Sequence, residues 1–455
     1  MKLTVIGGGG VRSMFLAKSI AQRADELGID RLVFMDNDPK KLAVYGGMAG
    51  KVCSLLAPRL HFMCTDNAVE ALIGADYAIT TIRVGGDDMR VMDERIALEE
   101  GVLGQETTGA AGFSFAMRSI PALINYCELA KKYAKPGFKI FNFTNPAGLV
   151  SQALSDAGYD FTFGICDAPS SMLHAIADML NVEPSRVKGE IWGLNHLSFF
   201  DKITLDGKNI LPALIENDVS YKKTDMRYFS KELLTRKGYV PNEYLYYYFS
   251  SLKALSNIQN AEETRGEQIA RINKLMLAEL QKHDVNSEFE TCLKIFEQYY
   301  GMRENSYMAS ETGVSRGTAW HFNPFSKDAG GYAGVALRYM EIVRSGKPDD
   351  MILCMPNKGM IPGLLDTDVI EATGTVTANG VTPHPHENFD PEALELVRRV
   401  KLYERSAAKA ILTKDRDLAV DALALHPLVN SYDAAYRLAD RYIRHNFVYS
   451  PGWDK

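Results

Sequence analysis

Residues 3–20, LTVIGGGGVRSMFLAKSI, decide the fold. Leu3 to Ile6 make a short apolar strand, Gly7 to Gly10 a turn, and the apolar spacing after them suits a helix. A strand passing through glycines into a helix is the opening of a nucleotide-binding unit. Glycines let the backbone approach a pyrophosphate, and the helix offers its N–H groups and the positive end of its dipole. Arg31 to Met35 reads as a second strand, and Asp36 at its end is placed to hydrogen-bond an adenosine ribose. The fit to G-x-G-x-x-G is imperfect, because counting from Gly7 the third position holds Arg12; a merely structural turn stays open as the alternative.

Further strands follow at 76–82, 138–143, 161–165 and 188–194, each ending in a polar tail: Arg83-Val84-Gly85-Gly86, Thr144-Asn145-Pro146, Cys166-Asp167 and Asn195-His196. Strands alternating with helical stretches predict a parallel, doubly wound sheet, in which ligands lie beyond the carboxyl ends of the strands. From about residue 205 the character changes to long mixed-charge helical stretches (224–255, 261–300, 390–413, 417–446) around a β-like insert from Asp368 to Val376. The expected architecture is α/β: a doubly wound, Rossmann-like domain over 1–200, then a largely helical α+β domain over 201–455 for substrate binding and oligomer contacts. No repeat or heptad run is visible.

Composition agrees. The chain has 455 residues, 46% hydrophobic and 24% charged, which excludes a disordered or disulfide-stapled chain. A net charge of −6 implies no basic face, so neither nucleic acid nor an anionic membrane is expected as a partner. Six scattered cysteines read as free thiols in a reducing compartment, and no run of ~20 apolar residues or signal peptide is visible. The cytoplasm is the expected location.

Three constellations carry candidate chemistry. Cys166 and His196 end two neighbouring strands, where a thiolate and an imidazole could share one transition metal. Two ligands make an incomplete site, and spacing alone favours a buried thiol beside a core histidine. Next, Asn242 to Phe249 reads NEYLYYYF, with Arg265 further along. A tyrosine is a poor base unless a cation or metal lowers its pKa, and such an aromatic stripe is more often core. Finally, Arg83, Arg90 and Arg95 surround Gly85-Gly86 and run into GQETTG at 104–109. They suit an anionic substrate group, or equally a solvated helix face.

Together these motifs closely resemble the family 4 glycoside hydrolases, which are NAD- and metal-dependent. The stretches that carry the resemblance are IRVGGDDMRVMDERIALEEGVLGQETTGAAGF (82–113), NFTNPAG (142–148), GICDAP (164–169), GLNHLSFF (193–200), PNEYLYYYF (241–249), ETRGEQI (263–269) and NKGMIPGLLDTDVIEA (357–372), nearly the whole chain. The resemblance implies oxidation of the sugar at C3 by NAD, removal of the C2 proton, elimination of the aglycone, water addition and re-reduction, so that the net reaction is hydrolysis. These enzymes stand outside the two-carboxylate scheme of most glycosidases.

By the same resemblance Cys166 and His196 are metal ligands, the metal usually being manganese, and Tyr244 is the base at C2, held as phenolate by the metal and Arg265. Asn145 orients the sugar, Arg90 and Arg265 bind substrate, and Gly7, Gly9, Gly10, Asp36 and Arg83 serve the dinucleotide. A homodimer or homotetramer is implied. The stretch 193–200 looks like the 6-phospho-β-glucosidase branch, whereas Asp167 is the residue that 6-phospho-α-glucosidases use as acid. The longer motif is given the greater weight, and Asp167 is then expected to orient water or sugar. The competing classes are an α-acting or non-phosphorylated glycosidase of the same family, a malate/lactate-dehydrogenase-like oxidoreductase, and a nucleotide sensor.

Overall fold

The computed structural model describes residues 1–314, 320–327 and 333–453. Strands β1 (Lys2–Ile6), β2 (Arg31–Met35), β3 (His61–Thr65), β4 (Tyr77–Thr80), β5 (Lys139–Asn142) and β6 (Thr162–Gly164) form one parallel sheet in the order β3-β2-β1-β4-β5-β6. This is the doubly wound order, with its switch point between β1 and β4. The central strands are covered on both faces, which is why Leu3, Val5, Leu32, Val33 and Phe34 form almost unbroken apolar runs that are buried.

Five of the six strands expected in this sheet are present as β1, β2, β4, β5 and β6; the sixth, 188–194, instead opens an antiparallel hairpin in another sheet, so His196 ends no neighbouring parallel strand but lies in that hairpin's turn. β3 was not foreseen: it is an edge strand whose His61 and Cys64 are exposed and whose Phe62 and Met63 are half-buried, so no apolar alternation marks it. The helix Ser13–Leu27 buries Met14, Ala17, Ile20, Ala21 and Ala24 on one face and ends at Gly28 in the left-handed region.

The second half begins with an antiparallel hairpin, β7 (Val187–Leu194) and β8 (Leu197–Leu205), extended by β9 (Lys208–Asn209) and β10 (Val240–Pro241). The β-like insert is β12 (Val369–Thr377), flanked by β11 (Asp349–Pro356) and β13 (Gly380–Pro383) in a three-stranded antiparallel sheet. β12 is latched onto β7, because the Thr373 hydroxyl accepts from Ile191 N at 3.0 Å and donates to Gly189 O at 3.0 Å.

Three of the long helical stretches are broken, each for a local reason. Within 224–255, Gly238 in the left-handed region closes the helix Lys231–Lys237, and Pro241 and Asn242 start a new turn. Within 261–300, Asp284 accepts from the backbone of Asn286 and Ser287 and separates Arg265–Leu280 from Phe289–Asn305. Within 417–446, Asn430 has φ 47° and Ser431 caps the helix Tyr432–His445. The stretch 390–413 is one helix, Pro391–Thr413. Among the described residues no helix is long and apolar enough to cross a membrane, and all six cysteines are free.

Candidate active site

At the dinucleotide end, Gly7 N and Gly8 N both donate to Met35 O at 2.8 Å, stitching the turn to β2. Gly7 has φ +100°, and a side chain there would meet Thr81 O at 2.6 Å. Gly9 N donates to Asp36 Oδ2 at 2.9 Å, and Asp38 N donates to Oδ1 at 3.0 Å, so Asp36 is oriented by the turn it faces. Burial raises the Asp36 carboxyl, and the two backbone donors act against that. Gly10 N closes the turn on Gly7 O at 3.2 Å. The helix Ser13–Leu27 has no side-chain cap, so its N-terminus is presented beside the glycines. This cradle fits a dinucleotide pyrophosphate with its ribose at Asp36.

Next to it lies an arginine–carboxylate lattice. Arg83 pairs with Glu106, stands 3.7 Å from Asp87 and lies over the Phe115 ring at 5.5 Å. Arg90, on the helix Gly86–Glu99, is buried and pairs with Glu94 at 2.8 Å and Glu106 at 3.1 Å. Burial alone would raise Glu106, but Arg83 and Arg90 hold it down at about 2. Glu94 in turn accepts from Gly266 N at 2.7 Å. Arg265 donates to Gln268 (2.9 Å), Ser306 (2.6 Å) and Arg303 O (2.9 Å). Burial and then the charges of Arg90 and Arg303 pull Arg265 below its ordinary value. Arg90, Arg265 and Arg303 therefore gather into one cationic group, with Arg265 turned to Gln268, Ser306 and Arg303. Arg95 lies apart, paired with Glu267 at 2.5 Å.

Cys166 follows β6, and His196 occupies the two-residue turn between β7 and β8. Their Sγ and Nε2 atoms are 3.9 Å apart. Two ligands held at about 2.0–2.3 Å from one tetrahedral ion stand roughly 3.5–3.8 Å apart, so the pair needs to close only slightly to share a metal. Burial lowers His196 to about 4, which leaves the neutral imidazole a metal requires, and its Nδ1 is buried without a hydrogen-bond partner. Burial also raises the Cys166 thiol, with Glu371 and Asp167 adding to it. Among the described residues no third His, Cys, Asp or Glu joins them in a metal cluster.

Tyr244 packs its ring on that of His196, with centroids 4.1 Å apart. It sits on the short turn Glu243–Leu245, where Asn242 Oδ1 accepts from Tyr244 N at 3.0 Å. Burial, then Glu243 and Glu106, raise its phenol, and a hydrogen bond with Tyr307 acts the other way. In the rest of the aromatic stripe Tyr246 and Tyr247 are buried, Tyr248 is half-buried and Phe249 is exposed; Tyr247 donates to Glu311 at 3.1 Å, and Tyr248 shares a 2.7 Å hydrogen bond with Thr108.

Asn145 lies at the end of β5, in a loop organised by Asn142, whose Oδ1 accepts from Thr80 Oγ1 (2.7 Å) and Thr144 N (3.0 Å). Ser119 donates to Asn145 O at 3.3 Å, and Asn145–Pro146 is a cis peptide. Asp167 is half-buried at the start of the helix Ala168–Leu180, beside Cys166. Sequence reasoning assigned no role to Glu106, Asn195, Tyr307 or Glu371. Glu371 is buried on β12 and accepts from Asn195 Nδ2 at 2.9 Å and Ser198 Oγ at 3.0 Å; burial lifts it to about 7 against these two donors.

Comparison with known proteins matches this geometry. The family model described as family 4 glycosyl hydrolase matches residues 2–182, and that of the family's C-terminal domain matches 191–429. A 6-phospho-β-glucosidase of Thermotoga maritima is 27% identical over 99% of both chains. A phospho-α-glucosidase of Clostridium acetobutylicum is 26% identical over 98% of both. A crystal structure of the Thermotoga maritima 6-phospho-β-glucosidase, solved with manganese, NAD+ and glucose-6-phosphate, superposes with TM-score 0.81 at 26% identity over 99% of both chains. With its glycine turn, its thiol–imidazole pair and a tyrosine packed against that imidazole, the chain belongs to the family 4 glycosyl hydrolases.

Proposed function

We propose that this enzyme hydrolyses 6-phospho-β-glucosides with NAD and a divalent metal, most simply manganese. The observation that carries the reading is the meeting of Cys166, His196 and Tyr244 beyond the carboxyl end of β6, on the same edge of the parallel sheet as the glycine turn after β1. The full-length likeness to a 6-phospho-β-glucosidase supports the substrate class. A dehydrogenase of the malate or lactate type has no use for a thiol–imidazole pair.

The turn Gly7, Gly9 and Gly10 with Asp36 would hold the dinucleotide, Arg83 would flank it, and Cys166 and His196 would hold the metal. When bound, NAD supplies a hydride acceptor and donor, and the metal supplies Lewis acidity at the sugar hydroxyls. Tyr244 removes the proton at C2, working as phenolate when a cation stands at the neighbouring pair. Asn145 orients the sugar, and Arg90 and Arg265, joined by Arg303, bias the pocket towards an anionic sugar. Asp167 orients water or the sugar beside the metal. An α-acting enzyme is the second reading, favoured by an ionisable acid at Asp167. Residues 1–200 would serve the dinucleotide and 201–455 the substrate and oligomer contacts. Exposed Tyr432, Tyr436, Phe447 and Val448 support a homo-oligomer, and the free thiols support a cytoplasmic location.

The test is turnover of 4-nitrophenyl 6-phospho-β-glucoside with catalytic NAD and manganese. Stoichiometric NADH would mark a dehydrogenase, and no turnover of any glycoside would end the reading.

A further inference from the structure

His196 lies in a position that most side chains avoid. β7 and β8 pair up to Leu194 and Leu197, so Asn195 and His196 make a two-residue turn, and His196 takes φ +60° where glycine is usual. Gly193, near the end of β7, has φ +137° and lies so close to β8 that a side chain would meet Leu197 O at 2.3 Å. Such a conformation persists only where the surroundings over-determine it.

The surroundings here are one carboxylate. Glu371 Oε1 accepts from Asn195 Nδ2 at 2.9 Å and Oε2 from Ser198 Oγ at 3.0 Å, so both oxygens are used, one on each side of His196. Glu371 cannot drift, because it is buried on β12, and two residues on Thr373 locks that strand to β7 through Ile191 N and Gly189 O. The His196 ring makes no compensating hydrogen bond through Nδ1. Its aim towards Cys166 is therefore set by the turn, with the Tyr244 ring packed against it, and not by a hydrogen bond at Nδ1.

We propose that Glu371 is the positioning residue of the thiol–imidazole pair: it acts through the Asn195–Ser198 turn to hold His196 in its strained conformation, ready to share a cation with Cys166. This rests on reading Cys166 and His196 as metal ligands. A metal site loses about 10–100-fold in affinity when such supporting contacts go. Glutamine can keep both contacts, its amide oxygen accepting from Asn195 and its amide N–H donating to Ser198 Oγ. Alanine keeps neither.

Cobalt(II) titration of the full-length enzyme with NAD present, followed by the thiolate-to-cobalt charge-transfer absorption, provides the test without turnover. The wild type should give the band, and Cys166→Ser should abolish it; a wild type without the band overturns the metal reading itself, and this role with it. Given the band, Glu371→Ala should bind cobalt about 10–100-fold more weakly, Glu371→Gln should stay within about threefold of wild type, and NAD affinity should hold in both. Wild-type cobalt affinity in Glu371→Ala, or a loss in Glu371→Gln equal to that in Glu371→Ala, overturns the proposal. Should Glu371→Ala not fold, Ser198→Ala removes one contact alone and must weaken cobalt binding for the proposal to stand.

Discussion

The thiol of Cys166 and the Nε2 of His196 lie 3.9 Å apart although thirty residues separate them, one beyond a parallel strand and the other in an antiparallel hairpin. Cys166→Ser and His196→Ala should each abolish metal-dependent hydrolysis while leaving the NAD-binding turn intact. Activity with added manganese and NAD titration by fluorescence check this. Full activity in either variant, unaffected by chelators, would remove the pair from the chemistry.

Tyr244→Phe deletes the phenol hydroxyl but keeps the ring packed against His196. Hydrolysis should fall by about 10²–10⁴-fold, with NAD binding unchanged. Deuterium at substrate C2 should wash into solvent in the wild type and much more slowly in the variant. Equal exchange rates would transfer the base role to another group.

Arg90 is buried between Glu94 and Glu106. Arg90→Ala would leave Glu94 without its cation and Glu106 with Arg83 alone, and breaking such a buried pair costs about 3–5 kcal/mol. Denaturant unfolding of the variant should show a loss of that order. A variant as stable as wild type would mean that the lattice relaxes around the gap.

The sheets of the second half are joined by histidines. His384 lies 2.9 Å from Glu190 and 3.0 Å from Asp350, and His386 lies 2.9 Å from Asp201. Burial pulls both imidazoles down, but the carboxylates outweigh it and raise them above the ordinary value. The folded chain thus binds these protons more tightly than the unfolded one. Their contribution is whole below an unfolded value of about 6.5 and is lost as pH rises through the folded values. The melting-temperature gap between wild type and His384→Gln should be wide at about pH 5.5 and narrow at about pH 9. A gap that widens with pH would refute the pairing.

The anomer is settled by four nitrophenyl glucosides, α or β, with or without the 6-phosphate. The β-phosphate should be the best substrate, and Asp167→Asn should keep that preference. Preference for the α-phosphate, abolished by Asp167→Asn, would assign Asp167 the role of acid.

The parallel sheet was legible because each buried strand is a short apolar run ending in a polar tail, as in Phe138 to Thr144 before Asn145. β3 was not, because an edge strand needs no apolar alternation. The helical stretches read too long, since Gly238 and Asp284 break the helices by backbone conformation and turn hydrogen bonds rather than by a change in polarity. Cys166, His196 and Tyr244 were found through motifs spread along the chain. Glu371 was not given a role, because a lone acid on a strand acquires one only when folding brings Asn195 and Ser198 against it. Arg265 matched its motif, yet its guanidinium faces Ser306 and Arg303, a direction that spacing does not encode.

The 2.9 Å hydrogen bond from Gly9 N to Asp36 has a consequence for economy of the cell's redox carriers. A fixed carboxylate welcomes a ribose hydroxyl but repels a phosphate in the same place. The dinucleotide carrying that extra phosphate would have to set its charge against Asp36. With the ribose seated at Asp36, as proposed, the enzyme would draw on the carrier without that phosphate and stay apart from the pool that bears it.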